Sequence, residues 1–223
     1  MKSDGSEITC YWASGSAPAW RVCICIKEKE LNNANLVLIE FSKKDHKSAE
    51  VLAINPRGQA PTFKDGPVII NESYGVCQYL ADTYVNQGSE LIPENIVDKA
   101  LNLQRIFEIE NLYSKLIDLA RFHWGKRPYY TKDVVLEKKQ ALRKELTRWE
   151  NYLSQTYLIN TSFSLADVCF FPVVAYMFRI GIPPESYPNL TLYYETCMKR
   201  ESIQQTWPPH WKDSKGNTLL ADI

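Results

Sequence analysis

NQGSELIPEN, residues 86–95, divides the chain into two unlike halves. Gln, Gly, Ser and Pro cluster there without apolar periodicity, which is the composition of a connector. Upstream, strand and helix signals alternate. EITCYWA (7–13) reads as a short strand, and PAWRVCICIKEKEL (18–31) as a helix whose first turn holds Pro18. NLVLIEF (35–41) is a continuous apolar, β-branched run, the pattern of a buried strand. HKSAEVLAIN (46–55) is a short helix stopped by Asn-Pro. APTFKDGPVII (60–70) holds two short runs around Asp-Gly-Pro, a hairpin, and SYGVCQYLADTYV (73–85) is helical again. The order βαβαββα predicts parallel pairing across the helices and an antiparallel edge from the closing hairpin.

Downstream, residues 97–124 and 132–156 are long amphipathic helices, and residues 164–181 form the most apolar one. Its polar-free core is shorter than the ~18–20 residues a membrane span needs, so it is the central helix of this half. Residues 186–200 and 201–207 add two shorter helices before a Pro-bearing tail, WPPHWKDSKGNTLLADI (207–223). The expected organisation is α/β over residues 1–86, a linker over 87–96 and an all-α bundle over 97–223.

Composition narrows the function classes. The chain of 223 residues carries 26 Lys plus Arg against 26 Asp plus Glu, so no charge excess points to nucleic acid or an acidic membrane. MKSDGSEITCYW has no apolar leader stretch, and none of the six cysteines forms C-x-x-C. They read as reduced core thiols of a cytoplasmic protein. His46, His123 and His210 lack ligand spacing, so no metal site is expected.

Four short motifs carry the chemistry. In SGSAP, Ser16 precedes a helix that starts near Pro18. That is where a cap sits, and also where amides and the helix dipole favour an anion such as a thiolate. In NPRGQAPTF, Pro61 enters a strand, which suits an edge position or a cis Ala60–Pro61 bond with the Ala60 amide free to pair with an extended peptide. In INESYGV, Ser73 is a good N-cap whose hydroxyl and the helix's first amides suit a carboxylate, while Glu72 suits an ammonium group. Together those two groups describe an α-amino acid. In TSFSLADV, Ser164 and Asp167 stand in capping-box spacing, a folding signal.

As a set, these motifs resemble the cytosolic glutathione transferases over essentially the whole chain. The layout YWASGSAPAWR…NPRGQAPTF…NES…WPPHW most resembles the rho class, with the serine signature of the delta and theta classes. The resemblance implies a thioredoxin-like N-terminal domain, a C-terminal helical bundle domain, and glutathione as co-substrate. Ser16 matches the serine that activates the glutathione thiol, with Ser14 as its rival. Ala60 and Pro61 match the loop that pairs with the cysteinyl part. Glu72 and Ser73 match the pair holding the γ-glutamyl end, and His46 and Gln59 fall near the glycyl carboxylate. His46 also reads as a solvated helix-start residue. Trp12 and Ser14 from the first loop, with Tyr113, Leu116, Phe122 and Trp124 from the long helix, are the expected lining of an apolar electrophile pocket between the domains. Conjugation, with hydroperoxide reduction beside it, is the implied activity of a detoxifying homodimer. A non-catalytic ligand-binding or structural protein on the same fold is the alternative. A Cys at the first motif would imply thiol exchange, but no cysteine lies between Cys10 and Cys23.

Overall fold

The computed structural model describes residues 7–223, so the absence of a leader over residues 1–6 lies outside them. The first half holds strand β1 (Ile8–Trp12), helix α1 (Ala17–Glu28), strand β2 (Asn35–Leu38) and helix α2 (Ala49–Ile54). Strands β3 (Thr62–Asp65) and β4 (Val68–Ile70) and helix α3 (Ser73–Thr83) complete it. The sheet order is β2-β1-β3-β4. β1 pairs parallel with β2 (Tyr11 opposite Val37) and antiparallel with β3 (Cys10 opposite Phe63). β3 and β4 form the antiparallel hairpin. Parallel pairing and the antiparallel hairpin are as the alternating pattern predicted, and the whole is the thioredoxin-like arrangement that the resemblance implied.

One reading is corrected. NLVLIEF looked like a buried strand, yet β2 is an edge strand whose residues are exposed or half-buried. A short continuous apolar run does not reveal which strand will lie outermost.

The second half is helical: α4 (Ile96–His123), α5 (Lys132–Tyr152), α6 (Leu165–Arg179), α7 (Pro188–Cys197), α8 (Glu201–Gln205) and α9 (Pro209–Asp213). α6 is the central helix, with every residue from Leu165 to Ala175 buried. Its start is fixed as the spacing predicted. The Asp167 carboxylate accepts the Ser164 backbone N–H at 2.8 Å and its hydroxyl at 2.7 Å. Asn102 of α4 adds a cap from outside, accepting the Ala166 N–H at 2.9 Å.

The two halves share one hydrophobic core. Trp20 of α1 meets Phe171 of α6 edge to face at 5.6 Å and donates its indole N–H to Thr206 at 2.9 Å. A polar clamp reinforces the joint. Glu28 at the end of α1 receives Arg200 through Nε at 2.9 Å and Nη2 at 2.8 Å, together with hydroxyls from Ser89 and Ser202. All six cysteines are buried and free. No helix of the described residues is long and apolar enough to cross a membrane.

Candidate active site

The Ser14–Ser16 loop is built by β1, a turn and α1. β1 ends at Trp12, and Gly15 then takes φ +76°, the left-handed region that favours glycine. The Ser16 N–H closes the turn on Ala13 C=O at 3.1 Å. Ser16 is the N-cap residue of α1 by backbone geometry, with φ −78° and ψ 105°, and its C=O accepts the Trp20 N–H at 2.8 Å. Its side chain nevertheless makes no cap hydrogen bond. The hydroxyl is therefore half-buried at the positive end of a 12-residue helix, available as a donor.

Ser14 is differently placed. Its Oγ lies 2.5 Å from His210 Nδ1, and the His210 backbone N–H points at the same oxygen at 3.5 Å. α9 thus lies across the Ser14–Ser16 loop. A Cβ on Gly15 would stand 2.8 Å from His210 Cε1 and 3.0 Å from Trp211 Nε1. Trp211 is held in turn by Trp20 and Trp207, both at 5.5 Å, and by the Arg179 guanidinium at 5.0 Å. Partial burial and then the Arg179 charge lower the His210 pKa, which favours the neutral imidazole.

The second half of the site lies along β3 and α3. The Ala60–Pro61 bond is cis at the entry to β3. Gln59 is exposed, and its C=O is fixed by Thr62 Oγ1 at 2.8 Å and Asn55 Nδ2 at 3.2 Å. Ser73 was expected as the N-cap of α3, but Glu72 occupies that place. Glu72 stays extended (φ −97°, ψ 120°) after β4, and its C=O already accepts the Val76 N–H at 2.9 Å. Ser73 is the first helical residue, and its Oγ accepts from Arg21 Nη1 at 3.3 Å. Arg21 is buried against the Tyr74 ring, 4.1 Å from its centroid. The Glu72 carboxylate is exposed and pairs with Arg57 at 3.1 Å, an exchangeable surface contact. His46 sits in the short turn Asp45–Lys47, its ring edge-on to Phe41 at 5.0 Å and its C=O against Gly58.

The expected electrophile residues differ widely in exposure. Trp12 is largely buried at the end of β1, and Tyr113 of α4 is half-buried. Burial raises the Tyr113 phenol, and the neighbouring Tyr176 of α6 is pushed to about 12, by burial first and then by Tyr113. Leu116 is fully buried in the core, so it packs between helices and opens onto no pocket. Helical periodicity identified an apolar stripe there without telling core from cavity. Phe122 stacks on Tyr130 at 6.1 Å, and Trp124 is half-exposed at the end of α4, roughly 16 Å along the axis from Tyr113.

Sequence reasoning missed Arg57, Tyr176, Arg179, Trp207 and above all His210, which lies 196 positions from Ser14. The only signal was the aromatic density of WPPHW. Two clefts of about 660 and 730 Å³ meet at Ser89, Tyr157 and Arg200, and neither includes a predicted site residue. Among the described residues no group of three or more His, Cys, Asp or Glu could hold a metal ion.

Two family profiles match this chain: "Glutathione S-transferase, N-terminal domain" over residues 11–88 and "Glutathione S-transferase, C-terminal domain" over residues 112–201. Glutathione S-transferase A of Pleuronectes platessa is 43% identical, covering 97% of this chain and 99% of its own. A glutathione S-transferase of Hyoscyamus muticus is 31% identical, covering 83% and 90%. The crystal structure of a glutathione S-transferase from the Antarctic clam Laternula elliptica superposes with a TM-score of 0.89, at 39% identity over 97% of this chain and 99% of that one.

Proposed function

The chain belongs to the glutathione S-transferase family and is a glutathione transferase; from that premise we propose that it conjugates the glutathione thiolate to apolar electrophiles, in the manner of a rho-class detoxifying enzyme. Residues 1–86 hold glutathione, 87–96 connect, and 97–223 complete the co-substrate pocket. The γ-glutamyl carboxylate lies at the Ser73 hydroxyl and the first amides of α3, and its ammonium group takes Glu72 from Arg57. The cysteinyl backbone runs along Ala60 and Pro61. The glycyl carboxylate reaches Gln59 and His46.

Ser16 donates to the sulfur, and the start of α1 adds its dipole. Lowering a thiol from about 8.5 to about 6.5 requires about 2.7 kcal/mol, within reach of one charge-assisted hydrogen bond and a helix terminus. The thiolate then attacks an electrophilic carbon held near Trp12 and Tyr113. The protein supplies ionisation and proximity, and the ligand supplies the nucleophile. Reduction of hydroperoxides would use the same thiolate.

The observation that carries this reading is the Ser16 hydroxyl at a helix start, free of a cap bond. The alternative, a non-catalytic binder, keeps the fold but needs no free donor there. Retention on immobilised glutathione followed by an aryl-halide conjugation assay separates them: retention without turnover favours the binder. We also propose a cytoplasmic two-fold homodimer, supported by the exposed stripe Ile96, Leu103 and Phe107 on α4.

A further inference from the structure

The Ser14–His210 contact joins the first loop to the last helix, and it sits one residue from the turn that delivers Ser16. We propose that His210, acting through Ser14, takes up the proton that the glutathione thiol gives off when the tripeptide binds. This rests on the reading that Ser16 holds the thiolate.

The geometry supports a directed pair. The His210 backbone N–H approaches one side of Ser14 Oγ at 3.5 Å, which leaves the serine proton to point at Nδ1, 2.5 Å away. The imidazole accepts there only when Nδ1 is bare. The ring is kept neutral by burial and by Arg179 of α6, the charged group acting on it. Its other neighbours in the thiol loop and α9 are Gly15 and Trp211, which do not titrate near neutrality. The Ser214 hydroxyl donates to the His210 C=O at 2.5 Å, and the three-tryptophan cluster anchors Trp211, so the ring is held on a fixed support.

The step balances without a redox partner. The thiol S–H bond breaks and its proton passes to Ser14 Oγ. The serine's own proton passes to His210 Nδ1, forming an imidazolium. The imidazolium gives its Nε2 proton to solvent, and exchange with water, protonation at Nε2 and loss of the Nδ1 proton, returns Nδ1 to its bare form before the next turnover. The sulfur keeps the electron pair and remains at Ser16. This division of labour also explains why two serines stand two positions apart: Ser16 donates to the anion, whereas Ser14 is committed to a base.

The test is stopped-flow mixing of each protein with glutathione in weak buffer, following thiolate ultraviolet absorbance. His210→Asn sets an amide near the Nδ1 position, so it keeps a hydrogen bond to Ser14 but takes no proton near neutral pH. We expect the Asn variant to reach the wild-type final absorbance at least about tenfold more slowly, the loss of one general base. Added free imidazole should restore the rate. Ser14→Ala, which cuts the same path while leaving the tail unchanged, should be slow as well. Thiolate forming as fast in His210→Asn as in wild type, or a slow phase indifferent to imidazole, overturns the proposal. A wild-type complex that forms no thiolate overturns the Ser16 reading instead, so the two failures are distinguishable.

Discussion

Ser16→Ala separates a folding role from a chemical one, because the structure assigns the hydroxyl no cap bond. Replacing a capping serine by alanine normally costs about 1 kcal/mol, most of it the bond to a helix amide. Without that bond the loss of stability should be below about 0.5 kcal/mol, a fall in Tm of less than about 2 °C for a chain of this size. Ser48→Ala is the internal comparison. The Ser48 side chain does accept the Val51 N–H, at 3.3 Å, so its removal should cost about 1 kcal/mol. The chemical effect runs the other way. Removing one charge-assisted bond to the thiolate, worth roughly 1.5–3 kcal/mol, raises the bound thiol's pKa by about one to two units. From a starting value near 6.5, turnover at pH 7 should fall between roughly threefold and 25-fold, and the gap should almost close near pH 9. The assays are an ultraviolet titration of the glutathione complex, a pH–rate profile with an aryl halide, and thermal unfolding. An unchanged thiol pKa, or a deficit that persists at pH 9, refutes the reasoning. A stability loss as large as that of Ser48→Ala would make Ser16 an ordinary cap.

Gly15→Ala puts a Cβ at φ +76° against His210 and Trp211 and should lose more than the about 1–2 kcal/mol of left-handed strain alone; Gly125→Ala, at φ +71° with nothing within 4 Å, measures that strain alone in parallel melts. Glu28→Ala should cost about 2 kcal/mol in denaturant unfolding, since it leaves the partly buried Arg200 without its carboxylate. Burial raises the Glu28 carboxyl, but donors from Arg200, Ser202 and Ser89 hold it below its ordinary value. Its folded pKa is thus depressed, and this stability, present at neutral pH, is lost as pH falls through the carboxylate range, a loss Glu28→Gln should not show. Asp167 has the opposite sign: burial pushes it up to about 6, against the bonds from Leu158 and Ser164 that lower it, so its contribution strengthens as pH drops from 7 towards 4. Asp167→Asn should flatten that part of the stability–pH curve, and an unchanged slope would show that Asp167 does not cause it.

Much of the architecture was legible because helices and strands impress their periods on the sequence. The apolar α6 and the Ser164–Asp167 box were found from local signals alone. The candidate site residues Ser16, Pro61 and Glu72–Ser73 could be located for the same reason, since each sits at an element's start. What failed depends on three-dimensional neighbours. β2 carries core-like residues but lies at the sheet edge. Ser73 faces Arg21 from α1, so its hydroxyl turned from the expected cap to a partner across the fold. Leu116 fits the stripe of α4 yet is wholly buried in the core, and His210 gains meaning only when the tail returns to the first loop.

The six sequestered cysteines bear on how such an enzyme survives its own substrates. Burial pushes the Cys23, Cys77, Cys169 and Cys197 thiols well above their ordinary value, so they stay protonated and poorly nucleophilic. A catalyst that concentrates alkylating agents beside a surface thiolate would be inactivated by its own cargo. On the proposed reading the reacting sulfur belongs to glutathione and leaves with the product, so each round of alkylation consumes a replaceable tripeptide while the six cysteines stay buried.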